Sequence, residues 1–344
     1  MSDTIRIAVD AMGSDFGPAA LVKGTFQYLH DHIGNGVKLF IIGKKDNLAK
    51  IWDSIKNKDN IEVEFVDAPE VVEMHEPVAK GIKKRNSSLA IAMAMHRAGE
   101  VDAVVSAGNT GACMATAIRQ LGRIEGVSRP AIASPFPTSF DKDVVLLDVG
   151  ANVDSPPKNL FQFALMGSIY LSHMTKNSRP TVGLLSIGEE KIKGNEATIQ
   201  AYKLLEESTL NFIGNVEGND VLSGKCDVVV TDGFTGNVLL KFTESIKSFL
   251  VTKVGRQVSS NLFSRVGAFL LYPFLKRLRN SFDSSKYGGA PLLGINGVVI
   301  IAHGASNPMA IKNAIRVAHK MVKARVNEHI HGKLAGTAIA VEAK

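Results

Sequence analysis

The sequence predicts an open, doubly wound, mostly parallel α/β sheet with helices on both faces. Three observations lead to that expectation. Short runs rich in Val and Ile alternate with longer amphipathic runs along the 344 residues. The short runs are nearly continuous in hydrophobicity, which suits strands covered by helices on both sides. Most of them end in a turn that combines Gly with Asn, Asp, Ser or Thr, and such strand–helix alternation favours βαβ units over hairpins.

Taken in order, the first strand is expected at 5–10 and ends in Asp10-Ala-Met-Gly-Ser-Asp-Phe-Gly-Pro18. Strands at 37–42 and 61–66 follow, then a helix at 87–98. The strand at 101–106 ends in Ser106-Ala-Gly-Asn-Thr-Gly111 and feeds a helix at 113–121. A strand at 144–148 ends in Asp148-Val-Gly-Ala-Asn152, before a helix at 159–174. The strand at 181–186 ends in Ser186-Ile-Gly-Glu-Glu-Lys-Ile-Lys-Gly-Asn195, before a helix at 195–207. Strands at 211–216 and 227–231 come next, the latter ending in Thr231-Asp-Gly-Phe-Thr-Gly-Asn237 before a helix at 237–254. The last strand, 297–302, ends in His303-Gly-Ala-Ser-Asn307 and a helix at 307–326. Ligands of open α/β sheets bind outside the carboxyl ends of the strands. Six polar turns are therefore expected at one edge, forming one polar site.

Composition bounds the class. An apolar fraction of 45% and a charged fraction of 21% are ordinary globular values. One α/β unit over 1–344 is expected, with two lobes dividing near residue 150. The net charge of +7 favours acidic partners but leaves nucleic acid, anionic lipid, phosphate ligands and acidic proteins all open. Two distant cysteines, Cys113 and Cys226, make no disulfide framework and fit a reducing cytoplasm. Neither a signal-peptide pattern nor an apolar run of ~18 residues occurs, so no membrane span is expected.

Several chemistries lose support. There is no Gly-x-Gly-x-x-Gly after a strand, no Gly-x-x-x-x-Gly-Lys-Ser/Thr and no Gly-x-Ser-x-Gly, which argues against a dinucleotide fold, a P-loop and a nucleophile elbow. The histidines lack zinc-ligand spacing. The acids Asp67, Glu70, Glu73 and Glu76 with His75 read as a solvated turn rather than a cation site. The strongest anion cradle is Gly108-Asn-Thr-Gly111, where glycine admits a ligand to the backbone and a helix start supplies unpaired N–H groups. Asn109 and Thr110 offer further donors, although the same turn also reads as a plain N-cap with Thr110 as the cap. The 231–237 turn carries the same two readings. Cys113, just after the cradle, reads as a small buried hydrophobe in preference to a nucleophile.

The stretch 253–282 holds Lys253, Arg256, Arg265, Lys276, Arg277 and Arg279 and no acid. Leu262, Val266, Phe269 and Leu270 fall on one helical face, and Pro273 is expected to interrupt the helix. An amphipathic basic segment of this kind lies on an anionic membrane surface or packs at a subunit interface.

The long motifs Ile7-Ala-Val-Asp-Ala-Met-Gly-Ser-Asp-Phe-Gly-Pro18, Lys84-Arg-Asn-Ser-Ser88, Ser106-Ala-Gly-Asn-Thr-Gly-Ala112, Asp148-Val-Gly-Ala-Asn152, Gly188-Glu-Glu-Lys-Ile-Lys-Gly-Asn195, Asp232-Gly-Phe-Thr-Gly-Asn-Val238 and His303-Gly-Ala-Ser-Asn307 occur in one order. In this the chain resembles the PlsX family over nearly its whole length. Where that family more often has Gly-Asp-His, this chain has Ser14-Asp15-Phe16, so position 16 has no polar role here. The resemblance implies a fold like isocitrate dehydrogenase and phosphotransacetylase, with a protruding helical segment near 250–285. It implies acyl transfer from acyl carrier protein to inorganic phosphate, a homodimer and no cofactor. It also implies a cytoplasmic protein held peripherally at the inner face of the membrane, with a membrane glycerol-3-phosphate acyltransferase acting next.

On that footing phosphate is itself the nucleophile. Asp10, Gly108, Asn109, Thr110, Gly111, Asn152, Asn195 and Asn307 are expected to bind phosphate or the acyl group. Lys193 or His303 is expected to supply charge or a proton, with Asp232 and Asn237 orienting the groups. Arg256, Arg265, Phe269, Leu270, Lys276, Arg277 and Arg279 are expected to meet the membrane or the acidic carrier protein. The rival readings are a phosphotransacetylase using acyl-CoA, a decarboxylating dehydrogenase, and a non-catalytic basic binding protein. With 5 Tyr, 1 Trp and no helix-turn-helix or RNA-binding signature, nucleic acid is not an expected partner.

Overall fold

The computed structural model describes residues 4–33, 36–58, 61–140, 142–259, 262–281 and 284–342. The chain opens with β1 (Ile5–Asp10), α1 (Pro18–Asp31), β2 (Val37–Gly43), α2 (Lys45–Asp53) and β3 (Glu64–Asp67). Next come α3 (Val78–Gly81), α4 (Ser88–Arg97), β4 (Ala103–Ser106), α5 (Thr110–Leu121), β5 (Ala131–Pro137) and β6 (Asp143–Leu147). The middle holds α6 (Pro157–Met174), β7 (Thr181–Leu185), α7 (Glu196–Glu206), β8 (Asn211–Val216), α8 (Gly218–Ser223) and β9 (Val228–Val230). Two long helices follow, α9 (Gly233–Ser259) and α10 (Leu262–Ser281), then β10 (Gly289–Leu293), β11 (Val298–Ala302), α11 (Pro308–Lys323) and α12 (Val326–Glu342).

Among the described residues eleven strands join one sheet in the order β3-β2-β1-β4-β11-β10-β5-β6-β9-β7-β8. Alternate residues of each strand feed opposite faces, as the pleat requires. Ile7 and Val9 of β1 belong to one core cluster with Leu21 of α1, Phe163 of α6 and Ile315 of α11, whereas Ala8 belongs to the other with Leu89 of α4 and Cys113 of α5. Helices therefore cover both faces, as the sequence predicts.

The strand directions differ from expectation in one respect that governs the site. The group β3-β2-β1-β4-β11 is parallel throughout, and so is β6-β9-β7-β8. Between the two groups lie three antiparallel pairings: β11 with β10, β10 with β5, and β5 with β6. Three reversals leave the groups running in opposite directions. The six polar turns thus divide between opposite edges of the sheet instead of sharing one. One edge carries the turns after β1, β4 and β11, and the other carries those after β6, β7 and β9.

Helix α10 corrects a second expectation, since it runs through Pro273 without a break. Among its described side chains Phe263 is 91% and Phe269 80% exposed, and α9 likewise exposes Phe242 and Phe249. Among the described residues no helix is long and apolar enough to cross a membrane.

Candidate active site

The chain leaves β1 toward β2 on one side, and β4 flanks β1 on the other. Strand order therefore reverses between β1 and β4, which is where open α/β sheets form a ligand crevice. The two turns touch at this point. A Cβ on Gly13 would lie 2.7 Å from the Gly108 Cα, so the close approach requires glycine.

Beneath that contact a short polar chain braces the cradle. Asp10 ends β1 with only 2% exposure. Its carboxyl accepts the Ser106 hydroxyl at 2.7 Å and the Met12 N–H at 3.3 Å. Ser106 Oγ in turn accepts the Gly108 N–H at 3.2 Å. Burial pushes the Asp10 carboxyl above the usual carboxylate range, against the pull of the Ser88 and Ser106 hydroxyls and the Met12 N–H. Ser88, Ser106 and Gly13 are the positions that sequence reasoning did not single out. The available signal was Ser106 itself, a hydroxyl at the end of an apolar strand.

Asn109 caps α5: its Oδ1 accepts the Ala112 N–H at 2.9 Å. Its amide donates to the carbonyls of Met74 at 2.8 Å and Glu76 at 3.1 Å. The expectation that Thr110 is the cap, and that the Asn109 amide is free for a ligand, is thereby corrected. What remains open is backbone. The N–H groups of Thr110 and Gly111 begin the helix and have no hydrogen-bond partner among the described residues. Thr110 is exposed, and a Cβ on Gly111 would lie 2.8 Å from Val78 Cγ2.

The same edge holds His303 and Asn307. His303 is exposed and its Nδ1 accepts the Ala305 N–H at 3.1 Å, which leaves Nε2 to carry the proton of the neutral ring. Asn307 is an N-cap, accepting the Ala310 N–H at 2.9 Å. Asp15 is tied in through its N–H to the Gly304 carbonyl at 3.0 Å. Helices α1, α5 and α11 all begin here, and none has an acid in its first turn. Their N-terminal partial charges converge on neighbouring strands and favour an anion.

The other edge is built differently. Asp148 is fully buried, and its carboxylate takes five N–H bonds. They come from Ile132 (3.0 Å), Gly150 (3.2 Å), Ala151 (3.0 Å), Asn152 backbone (2.8 Å) and Asn152 side chain (2.9 Å). The Asn152 amide also donates to the Pro130 carbonyl at 2.7 Å, so it is committed to the loop. Asp232 closes the start of α9, accepting the Thr235 N–H at 2.7 Å and its hydroxyl at 3.0 Å. Asn195 caps α7 through Thr198, and Glu196 occupies its first turn. Lys193 is exposed, and the Asn237 side chain lies against Gly150.

The structure therefore brings together Asp10, Gly108, Asn109, Thr110, Gly111, His303 and Asn307. It separates them from Asn152, Lys193, Asn195, Asp232 and Asn237. On the long helices Arg256, Arg265, Phe269, Leu270 and Lys276 are exposed, while the side chains of Arg277 and Arg279 and residue 282 lie outside the described residues. Cys113 is fully buried, and burial together with Asp10 pushes its thiol up, so the small-hydrophobe reading holds. Among the described residues no group of three or more His, Cys, Asp or Glu converges to hold a metal ion.

Known proteins resemble the chain in fold and in sequence. The structure resembles a phosphotransacetylase from Streptococcus pyogenes (TM-score 0.60, 15% identity, 94% of each chain). It also resembles 4-hydroxythreonine-4-phosphate dehydrogenase from Klebsiella pneumoniae (TM-score 0.54, 12% identity, 94% of this chain and 98% of that one). At such identities the likeness concerns the fold. In sequence, the chain is 43% identical over 328 residues to a phosphate acyltransferase of Dictyoglomus turgidum, covering 95% of this chain and 96% of that one. It is 44% identical over 326 residues to one of Aquifex aeolicus, with 95% and 96% covered. The family model described as "Fatty acid synthesis protein" matches residues 5–329. The chain belongs to that family, the PlsX family of its sequence motifs, and is an acyltransferase enzyme of the phosphate acyltransferase kind.

Proposed function

We propose that the protein transfers a fatty acyl group from the thioester of acyl carrier protein to inorganic phosphate, giving an acyl phosphate for phospholipid synthesis. The observation that carries this reading is the open, uncharged start of α5 at the point where the strand order reverses. Phosphate sits on the N–H groups of Thr110 and Gly111, with Gly108 held in place by Ser106 and Asp10. One phosphate oxygen attacks the thioester carbon, a C–O bond forms, and the carbonyl electrons move to oxygen. That oxyanion collapses, the C–S bond breaks, and the carrier thiolate leaves to take up a proton. Because phosphate is the nucleophile and thiolate a good leaving group, the work is orientation and charge stabilisation. His303 and Asn307, at the same edge, serve the developing charge. Lys193, Asp232 and Asn237 enter as groups that complete the site across a homodimer, with Asn152 and Asn195 holding their loops. A Lys193→Ala protein with full activity at low phosphate removes that residue from the scheme.

The exposed apolar residues of α10, with Arg265 and Lys276 beside them, support peripheral attachment to the anionic inner face of the cell membrane. There the greasy product passes to a membrane glycerol-3-phosphate acyltransferase. Unchanged flotation with anionic vesicles after Phe269→Glu plus Leu270→Glu removes the lipid contact.

The deciding experiment incubates the protein with palmitoyl carrier protein and phosphate and looks for palmitoyl phosphate by mass spectrometry. Phosphate-dependent product from the carrier, and none from palmitoyl-CoA, supports the reading. Product from palmitoyl-CoA alone moves the donor to coenzyme A.

A further inference from the structure

The geometry points to the α3–α5 rim, rather than the 253–282 stretch, as the surface that docks the acidic carrier. This rests on the reading of acyl carrier protein as the donor. Between Glu76 and Glu100 the chain has no acid, and between Asp102 and Glu125 it has none either. The fold lays these two acid-free stretches side by side. Val78 packs on α5 at Gly111, and Arg119, in the last turn of α5, donates from Nη1 to the Ile82 carbonyl at 3.2 Å. The 78–85 segment thus runs along α5 from the open N-terminus toward the other end.

Its cations are not equivalent. Lys84 is spent on structure, donating to the Val71 carbonyl and to Glu76, each at 2.7 Å. Lys80, Lys83, Arg85 and Arg119 are exposed, and none has an ion-pair partner among the described residues. Lys80, Lys83 and Arg85 therefore lie on the segment beside the proposed phosphate cradle without a salt bridge, Lys80 within the field of Glu76, with Arg119 at the far end of α5 and Val78 37% exposed among them. A carrier must bring its thioester to that cradle, so an acidic helix lying on this rim places the acyl group next to the phosphate. The basic residues of α9 and α10 accompany an exposed apolar face, which suits a lipid surface better than a polar acidic protein. Electrostatic rims act mainly through association rate and salt dependence.

The test is the triple variant Lys80→Glu, Lys83→Glu, Arg85→Glu, assayed with palmitoyl carrier protein across a salt series. KM for the carrier should rise about tenfold at low salt, with kcat unchanged. The wild-type KM should climb with salt while the variant's stays level. Lys253→Glu plus Arg256→Glu should leave carrier KM within about twofold of wild type. A thermal melt and kcat at saturating carrier monitor folding, and the milder Lys83→Gln should raise KM about threefold if the triple variant does not fold. Unchanged carrier KM and salt response in the variants, with wild type active on the carrier, overturns this docking surface alone. A wild-type protein that makes no acyl phosphate from the carrier overturns the donor reading beneath it. A duplex DNA shift shown by wild type and lost in the triple variant, with carrier KM untouched, gives the face to nucleic acid and also overturns the inference.

Discussion

Two aspartates, Asp10 and Asp148, make the instructive comparison. Each stands where a Val/Ile-rich strand meets a Gly-containing turn, and both are buried. Asp148 draws five N–H donors into itself, and its neighbour Asp232 closes the start of α9 with a second carboxylate. Asp10 takes serine hydroxyls and one long N–H bond, and the adjacent helix α5 is capped by a neutral amide. One edge has therefore used its donors to hold its own loops, while the other presents them. Turn composition is nearly the same at the two edges, so what separates a structural loop from an anion cradle is the charge of the cap and the number of donors left over.

Replacing Asp148 should produce the largest effect. Asp148→Ala strands several buried N–H groups and should cost about 3–5 kcal/mol in urea unfolding. Asp10→Ala should cost no more than about 2 kcal/mol, because it leaves one long N–H bond and two serine hydroxyls to find other partners, yet it should abolish turnover at low phosphate. Equal stability losses in the two variants would break the comparison.

Gly13→Ala comes next. Its methyl group would press the Gly108 backbone, shifting the cradle by a fraction of an ångström to about an ångström, and kcat/KM for phosphate should fall about 100-fold. Smaller still is Thr110→Asp, which adds a carboxylate to the first turn of α5, one residue past the position that Asp232 holds before α9. KM for phosphate should rise about tenfold from repulsion across a few ångströms, while the melting temperature holds or rises because an acid suits a helix start. Asp232→Asn should lower kcat while leaving phosphate KM unchanged, because phosphate rests on α5 and Asp232 only orients groups that complete the site.

The smallest effect concerns the ion pair between Asp31 of α1 and Lys312 of α11, two helices that start at the open edge. The hydrogen bond from Lys312 lowers the Asp31 carboxyl from the ordinary value near 3.8. A depressed carboxylate stabilises the fold above its unfolded value, and that contribution disappears as pH falls through the folded value. Asp31 remains half-exposed, so Asp31→Asn should cost under about 1 kcal/mol at pH 7. The difference from wild type should vanish at low pH in unfolding titrations.

Of the eleven strands among the described residues, nine were legible as apolar runs, six of them ended by polar turns, and the six proposed helices were found with ends shifted by a few residues. The two strands that went unread are β5, Ala-Ile-Ala-Ser-Pro-Phe-Pro, and β10, Gly-Ala-Pro-Leu-Leu. Proline removes a ladder donor and argues locally against a strand. Here each strand lies between antiparallel neighbours. Those two strands create the three antiparallel pairings, so missing them also meant missing the reversal that splits the polar turns between two edges.

The sequence by itself determined the α/β class, the order of most elements, the family motifs and the anion-friendly start of α5, because each of these is a pattern within a few tens of residues. Tertiary structure decided which turns face one another, since strand direction depends on how distant strands pair. It also decided which donors stay open. The Asn109 amide is committed by the carbonyls of Met74 and Glu76, more than thirty residues away, and no local pattern records that contact.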